Sequence, residues 1–350
     1  MKAFSFRRWK SLAAIGCAGA ALTGPAIAEV SVPAGYLDNF KPITEQVVQS
    51  KENAVTPDKV KLGKMLYYDP RLSKSGLLSC NTCHNIAMYG VSALPTDIGH
   101  KWAIGPINGP TVMNSAYNLS QFWDGRAKDL EEQAKGPILN PAEMGMPSEA
   151  AVVERIGSIT EYRDMFTKSF PGEKLTYNNI AKAIAAFERT LQTPSRFDRF
   201  LTGDANALTD QEKNGLKLFV ENGCAACHNG VAIGGNSFQK MGVVKPYKTD
   251  NKARGKFDLT KKKEDMNVFK VPTLRNVERT YPYFHDGMVW ELENAVKIMG
   301  DVQTGKKLND TEASDIAAFL RSLTGTIPAE ALQVPVLPAS EKGTPRPSAD

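Results

Sequence analysis

The sequence predicts a mainly α-helical protein built from two similar halves. Apolar residues recur at the helical spacing i, i+3, i+4 and i+7, as within residues 316–323, whereas the alternating pattern of strands is sparse. The chain has 350 residues, which is enough for two hydrophobic cores. Segments of the first half also return in the second half, and this repetition predicts two domains of the same fold.

The internal repeat is visible in the order and spacing of short segments. Three pairs match: "PTVMN" (110–114) with "PTLRN" (272–276), "FWDG" (122–125) with "FHDG" (284–287), and "IAAFERTL" (184–191) with "IAAFLRSL" (316–323). The first two pairs share one offset, so chance resemblance is a poor explanation. Each half is predicted to run from a helix through a Cys-x-x-Cys-His motif and a loop-rich middle to a closing helix. In the second half, Thr209 and Glu212 have the spacing of a helix-starting capping box.

A polar, turn-rich stretch over residues 193–209 separates the two halves. We therefore predict an N-terminal domain over residues 29–195 and a C-terminal domain over residues 196–325. Residues 326–350 are rich in proline and lack helical periodicity, so we expect a loose tail on the surface.

The first residues predict an exported protein. Four basic residues and no acidic ones precede an apolar run over about residues 12–22, and "AIA" (26–28) supplies a small-x-small cleavage site. This pattern is typical of a secretory signal peptide over residues 1–28, cut after Ala28, and the run is too short for a membrane anchor. Cleavage takes the formal charge from +5 to +1, so neither nucleic acid nor a membrane span is expected.

The motifs "SCNTCHN" (79–85) and "GCAACHN" (223–229) indicate two covalently bound c-type haems. In such a motif each cysteine forms a thioether with the porphyrin and the adjacent histidine binds the iron. The haem-attaching residues are Cys80, Cys83 and His84 in the first half and Cys224, Cys227 and His228 in the second. Zinc needs four ligands close together, and a redox disulfide does not explain the histidine, so both alternatives are weaker.

The second axial ligands differ between the halves. Met299 is the candidate in the second half, because the methionine thioether is a known axial ligand of haem iron. Such a ligand raises the haem potential. The equivalent position of the first half is Pro137, which cannot ligate iron. His100 is the candidate sixth ligand of the first haem, with Met144 or Met146 as weaker alternatives.

The first half also carries polar residues that its twin lacks. Gln133 stands where the second half has Ala295, and Glu143 lies in a loop rich in proline and glycine. A carboxyl beside a haem-bound peroxide can move a proton from one oxygen to the other, although an exposed loop Glu is an equally good explanation from the sequence. Trp123 replaces His285 in the shared "F-x-D-G" pattern, either as packing or as a step for an electron between the haems.

With these residues assembled, the chain resembles the bacterial di-haem cytochrome c peroxidase family from about Leu62 to Leu323. The resemblance implies two cytochrome c-like domains with a peroxidatic haem on His84 and an electron-accepting haem on His228 and Met299. It implies that His100 is a displaceable ligand. It further implies that Glu143 and Gln133 act in the distal pocket, that Trp123 lies between the haems, and that a calcium ion is held by Asn108 with the carbonyls of Thr280 and Pro282.

The resemblance leads to a specific functional expectation. The protein is expected to reduce hydrogen peroxide to water in the periplasm, as a homodimer, with electrons from a mono-haem cytochrome c or a cupredoxin. Two alternatives remain: a di-haem electron carrier without peroxidase activity, and a di-haem oxidase of the cofactor-maturation type. Met299 counts against the latter, because those oxidases use a tyrosine there. The lysine-rich stretch 245–265 could meet the donor, although a solvated loop is the simpler interpretation.

Overall fold

The computed structural model describes residues 30–44 and 46–350, so the predicted signal peptide over residues 1–28 lies outside the described residues. The first seven helices are α1 (Ala34–Leu37), α2 (Pro57–Tyr68), α3 (Cys80–Cys83), α4 (Leu130–Leu139), α5 (Glu149–Gly157), α6 (Thr160–Ser169) and α7 (Tyr177–Glu188). The remaining elements are α8 (Arg196–Leu201), α9 (Asp210–Glu221), β1 (Phe238–Lys240), α10 (Phe257–Thr260), β2 (Val268–Lys270), α11 (Leu292–Met299), α12 (Asp310–Arg321) and α13 (Ala329–Leu332). The mainly α prediction is confirmed, and β1 pairs with β2 in a small antiparallel sheet.

Each half is built on the same helix crossing. Helix α2 packs on α7, and a Cβ atom on Gly63 would lie 1.8 Å from the carbonyl oxygen of Ala183. Helix α9 packs on α12 in the same way, with a Cβ on Gly215 lying 1.8 Å from the carbonyl oxygen of Asp315. Only glycine allows the two backbones to approach this closely. The repeat seen in the sequence is therefore a repeat of one helix pair, whose first helix precedes the Cys-x-x-Cys-His motif and whose second helix closes the domain.

The two terminal segments cross between the domains. Phe40 packs edge-on against Phe197 in the C-terminal core, with ring centroids 5.3 Å apart, and the amide of Ile43 donates to Asp198 at 2.7 Å. At the other end of the chain, Ile327 and Ala331 are buried in the N-terminal core. Each core is thus completed by residues from the far end of the sequence.

The predicted domain limits do not follow these contacts. Residues 30–43 fall within the predicted N-terminal domain (29–195) but pack on the C-terminal core. The tail over residues 326–350 is held on the N-terminal domain, where the Thr160 amide donates to Glu341 at 2.5 Å and the Ser348 amide donates to the Lys74 carbonyl at 2.9 Å. Composition marks these segments as irregular, but it does not reveal which distant core their few apolar residues fill.

The domains meet at Thr193. Its hydroxyl oxygen accepts hydrogen bonds from the side-chain amides of Asn114 at 2.7 Å and Asn276 at 2.8 Å. These asparagines occupy equivalent positions of the repeat, and both have left-handed backbones, with φ of 59° and 63°. One buried hydroxyl therefore bonds to equivalent asparagines of both halves. Within residues 30–44 and 46–350, no helix has the length and apolar character needed to cross a membrane.

Candidate haem sites

The C-terminal motif opens onto a large cavity. Helix α9 ends at Glu221, and Gly223, with φ of 82°, turns the chain into a short 3-10 helix over Cys224–Ala226. Cys224, Cys227, His228 and Met299 all line one cavity of about 500 Å³. The four residues predicted to hold the second haem are therefore brought together, and this mostly apolar cavity fits a covalently bound porphyrin.

The protonation of His228 suits iron binding. The imidazole is buried, and burial lowers the pKa of His228 to about 4, although the backbone carbonyls of Ile233 and Pro272 act in the opposite direction. A neutral imidazole offers a lone pair to a metal. Met299 is the last residue of α11 and is followed directly by a π-helical turn over Gly300–Thr304. Such turns are rare and are often found at functional sites.

The N-terminal motif is held by hydrogen bonds around His84. Helix α3 is capped by Ser79 and Thr82. The hydroxyl of Tyr67 donates to the His84 carbonyl at 2.6 Å, and His84 Nδ1 lies 3.3 Å from the carbonyl oxygen of Gly90. A ring that donates from Nδ1 presents Nε2 to a metal.

The motif cysteines are free, half-buried thiols. Burial raises the pKa of Cys83 to about 12, assisted by the negative charges of Asp97 and Glu143, and burial raises the pKa of Cys224 to about 11. Reactive redox cysteines have lowered pKa values. The surroundings of these thiols therefore disagree with a thioredoxin-like role.

His100 and Glu143 lie on two segments that are packed together. The amide of His100 donates to the carbonyl oxygen of Glu143 at 2.7 Å. A Cβ on Gly145, which has φ of 68°, would lie 2.9 Å from Cδ2 of the His100 ring. The imidazole is buried, and its Nδ1 has no hydrogen-bond partner among the described residues. The next two residues, Lys101 and Trp102, have positive φ values of 56° and 62°.

The carboxyl of Glu143 lies in a partly buried position. Burial raises its pKa above the usual range, while Arg126, His84 and a hydrogen bond from Asn140 act in the opposite direction. The Asn140 side-chain amide donates to Glu143 Oε1 at 2.7 Å. The charge of Glu143 in turn helps to raise the pKa of Cys83, so this carboxyl lies on the side of the N-terminal haem motif.

Other predicted residues of the first half form no side-chain hydrogen bond with this pair among the described residues. Gln133 is half-buried on α4, and no hydrogen bond among the described residues links its side chain to Glu143. Met144 and Met146 pack in the N-terminal core, where the sulfur of Met146 accepts from Arg155 at 3.4 Å. Both methionines therefore have packing roles, and His100 stays the stronger candidate for the sixth ligand.

The junction between the domains forms one wall of the C-terminal cavity. Asn108, Trp123, Thr280 and Pro282 all line it. Trp123 Nε1 donates to the backbone carbonyl of Asn108 at 2.8 Å. Among the described residues, no donor reaches the backbone carbonyls of Thr280 and Pro282. Carbonyl oxygens without a donor are suitable calcium ligands.

Comparison with known proteins agrees with this geometry. The di-haem cytochrome c peroxidase family profile matches residues 57–206, and the cytochrome c profile matches residues 212–324. A cytochrome c551 peroxidase of Nitrosomonas europaea is 53% identical over 314 residues, which cover 89% of this chain and 92% of the relative. The chain belongs to the di-haem cytochrome c peroxidase family.

Two further comparisons support this assignment. A cytochrome c551 peroxidase of Pseudomonas aeruginosa is 49% identical, covering 88% of this chain and 90% of the relative. Among solved structures, a MauG-like protein associated with microbial copper homeostasis has a TM-score of 0.73 at 29% identity, covering 84% of this chain and 96% of that chain. Membership of the di-haem peroxidase family confirms the prediction of two cytochrome c-like domains, each with one c-type haem.

The structure also identifies a residue that the sequence reasoning missed. Lys270 of this di-haem peroxidase lines the C-terminal cavity and is only 5% exposed. Its amide donates to the Trp123 carbonyl at 2.7 Å, and the amide of Asn108 donates to the His285 carbonyl at 2.8 Å. Lys270 and Asn108 are equivalent in the repeat, as are Trp123 and His285. The two hydrogen bonds are therefore reciprocal across the junction. The sequence signal for Lys270 was its position in the repeat, which is equivalent to that of Asn108.

Proposed function

We propose that this protein reduces hydrogen peroxide to two molecules of water at the haem of His84, consuming two electrons and two protons. The electrons enter at the haem of His228 and Met299. One observation carries the proposal: the main chain joins the segment of His100, the displaceable ligand, to the segment of Glu143, the proton carrier.

The two haems have different tasks. Each bound haem supplies an iron that changes its oxidation state by one electron. A His/Met pair raises the potential, so His228 and Met299 make the C-terminal site suitable for accepting electrons. His84 and His100 hold the N-terminal site, and loss of His100 makes room for peroxide. The first half has Pro137 at the position equivalent to Met299. After His100 leaves, no methionine at that position can therefore bind the first iron.

The backbone around His100 supports a displaceable ligand. Non-glycine residues with positive φ are uncommon, and two in succession, Lys101 and Trp102, store local strain. The His100 ring packs against Gly145, where a Cβ would lie 2.9 Å from it, and the His100 amide donates to the Glu143 carbonyl. In the proposed mechanism, release of His100 is therefore transmitted to the 140–146 loop and to Glu143.

Glu143 carries the proton during O–O cleavage. Its carboxylate accepts the proton of one peroxide oxygen and returns it to the other, so that the leaving oxygen departs as water. Partial burial raises its pKa, which brings its affinity for the proton closer to that needed for transfer in both directions. Gln133 is included in the same distal pocket by family resemblance.

The junction contributes a calcium site and an electron step. Asn108, Thr280 and Pro282 line the junction wall, and the free carbonyls of Thr280 and Pro282 with the Asn108 side chain supply hard oxygen ligands. Trp123 hydrogen-bonds to Asn108 and packs on His285 with ring centroids 6.5 Å apart. Asn108, Thr280 and Pro282 would hold a calcium ion at the junction, where it would stabilise the contact between the domains, and Trp123 is the aromatic group proposed to lie between the haems.

The cellular setting and the partners are further parts of the proposal. The sequence of residues 1–28 supports export to the periplasm, and two relatives are named for cytochrome c551, which supports a small c-type cytochrome as donor, with a cupredoxin as the other candidate. Trp102 and Ile104, exposed by 84% and 76%, give the His100 segment an apolar surface that supports a homodimer. In the 245–265 stretch, Lys245 pairs with Asp301 and Arg254 with Asp258, which favours a solvated loop there.

A turnover assay separates this function from the alternatives. Peroxide consumption is measured with a reduced mono-haem cytochrome c as donor and compared with the donor alone. The proposal predicts two donor molecules oxidised for each peroxide. An electron carrier oxidises donor without consuming peroxide, and an oxidase of the maturation type consumes peroxide only with its own substrate. Either of these results would overturn the proposal.

A further inference from the structure

Lys270 is a buried cation in an unusual position. It is the last residue of β2 and lies on the C-terminal cavity, with its backbone tied to Trp123 at the domain junction. Burial alone lowers the pKa of Lys270 to about 8. A buried ammonium is costly unless an anion or several acceptors compensate it.

Among the described residues, nothing compensates this charge. No hydrogen bond or ion pair of the Lys270 ammonium is formed with them, whereas the fully buried Arg275 has Asp198 at 2.8 Å and the buried Arg189 has Glu131 at 2.8 Å. The described lining of the cavity includes no Asp or Glu. Its lysines are Lys240, which is exposed, and Lys270. A negative charge in this cavity must therefore be brought in by what binds there.

The c-type haem brings such a charge. Thioether bonds at Cys224 and Cys227 would hold one edge of the porphyrin, and the two propionate groups belong to a different edge of the same ring. Those carboxylates would lie in the same mostly apolar cavity, where a buried carboxylate requires a compensating cation just as Lys270 requires an anion. The junction wall, with Trp123 and Asn108, is the part of the cavity to which Lys270 is tied.

We infer that Lys270 forms an ion pair with a propionate of the C-terminal haem and thereby raises the midpoint potential of that haem. This inference rests on the haem placement proposed above, with His228 and Met299 on the iron. An uncompensated propionate stabilises the ferric over the ferrous state, because the ferric iron carries one more positive charge. The ion pair would remove that bias, and the backbone of Lys270 is hydrogen-bonded to Trp123, the group proposed to lie between the two haems.

The test is a spectroelectrochemical titration of the holoprotein. Lys270→Met should disfavour the reduced C-terminal haem about tenfold, a fall of about 59 mV for a one-electron couple, whereas Lys270→Arg should keep the potential near that of the wild type. Lys240→Met is the matched control, since Lys240 lines the same cavity from β1 but is exposed, and it should leave the potential unchanged. Resonance Raman spectra should show a shifted propionate bending band in Lys270→Met alone.

Unchanged potential and propionate band in Lys270→Met would overturn the inference, as would equal shifts in Lys240→Met. If Lys270→Met cannot be purified with both haems attached, Lys270→Gln replaces it in the same titration, with the same expected fall in potential. Two separate measurements test the proposed function: the methionine–iron charge-transfer band of the wild type tests whether Met299 is a ligand, and peroxide turnover tests the peroxidase activity. If the band or the turnover is absent, the haem potentials of the lysine variants can still be compared.

Discussion

The amide of His100 donates to the carbonyl of Glu143 at 2.7 Å, so the proposed sixth ligand and the proposed proton carrier are linked through the main chain. The contact is reinforced by the preceding residue, where a Cβ on Gly99 would lie 1.9 Å from the carbonyl oxygen of Ala142. Two segments far apart in sequence therefore behave as one packed unit. In the proposed mechanism, opening the iron and positioning the carboxyl are one event, and a remote redox centre biases this two-state element.

Replacing Glu143 with Gln should abolish peroxide turnover while both haems stay attached. The amide keeps the shape but cannot carry a proton, and general acid–base catalysis typically contributes about 10²–10⁴-fold. The measurement is steady-state peroxidase activity, with haem content determined from the absorption spectrum. Glu132→Gln, at an exposed carboxylate on α4, is the control and should keep full activity. Full activity in Glu143→Gln would remove the proton-carrier role.

Gly145→Ala should loosen the His100 ligand. The new methyl group would lie 2.9 Å from the imidazole, so the ring must move, and the N-terminal haem should become partly high-spin in the fully oxidised protein. Electron paramagnetic resonance measures this change. Gly172→Ala is a matched control, because Gly172 has φ of 77° but nothing within 4 Å of a new Cβ. It has the same backbone cost of about 1 kcal/mol without the clash. A purely low-spin Gly145→Ala protein would show that the iron has another ligand.

Met299→Leu should lower the potential of the C-terminal haem and remove its methionine–iron charge-transfer band. The two thioethers keep the haem in place, so only the axial ligand changes. Met241→Leu tests for a general packing effect, since Met241 lines the same cavity and is not a predicted ligand. If both variants keep the wild-type potential, some other group binds this iron.

The buried ion pair between Arg275 and Asp198 should dominate the stability of the C-terminal domain. Arg275 is fully buried, and both its terminal nitrogens donate to Asp198 at 2.8 Å. Arg275→Met leaves a buried carboxylate without its partner and should cost about 3–5 kcal/mol in the free energy of unfolding. Denaturant unfolding measures this loss, and Arg254→Met, at the exposed pair with Asp258, should cost less than about 1 kcal/mol.

The same pair predicts a pH dependence. Burial acts to raise the pKa of Asp198, but the hydrogen bonds and charge of Arg275, together with the amides of Ser195 and Ile43, outweigh it, and the net pKa is lowered. The carboxylate therefore contributes stability that is fully present above its unfolded-state pKa and is lost as the pH falls through the lower folded-state pKa. In Arg275→Met this acid loss should shrink, because the guanidinium has the largest effect among the groups that lower the pKa of Asp198. If the variant loses as much unfolding free energy at low pH as the wild type, other carboxyl groups cause the acid loss.

The residues that could be predicted from the sequence are those with a local signature. The Cys-x-x-Cys-His motifs indicate their chemistry by spacing alone, and the capping box of Thr209 and Glu212 is formed as predicted at the start of α9. The alignment of the two halves was enough to show that Pro137 and Met299 occupy equivalent positions. These features depend on neighbours within a few residues or on a fixed offset, so no knowledge of the packing was required.

The features that escaped prediction depend on long-range packing. Phe40 enters the C-terminal core and Ile327 the N-terminal core across nearly the whole chain. Nothing local to Lys270 reveals that its side chain is buried on the haem cavity, since a lysine near a basic loop is expected to be exposed. The link between His100 and Glu143 uses backbone atoms, which leave no trace in residue identity.

One titration tests the gated peroxidase mechanism most directly. The purified protein, with calcium present, is taken from fully oxidised to half-reduced and followed by absorption and electron paramagnetic resonance, and peroxide is then added once. We predict that one low-spin haem turns high-spin when its partner is reduced, and that peroxide reacts at once. If both haems stay six-coordinate and peroxide has no effect, His100 is not a displaceable ligand and the protein is an electron carrier.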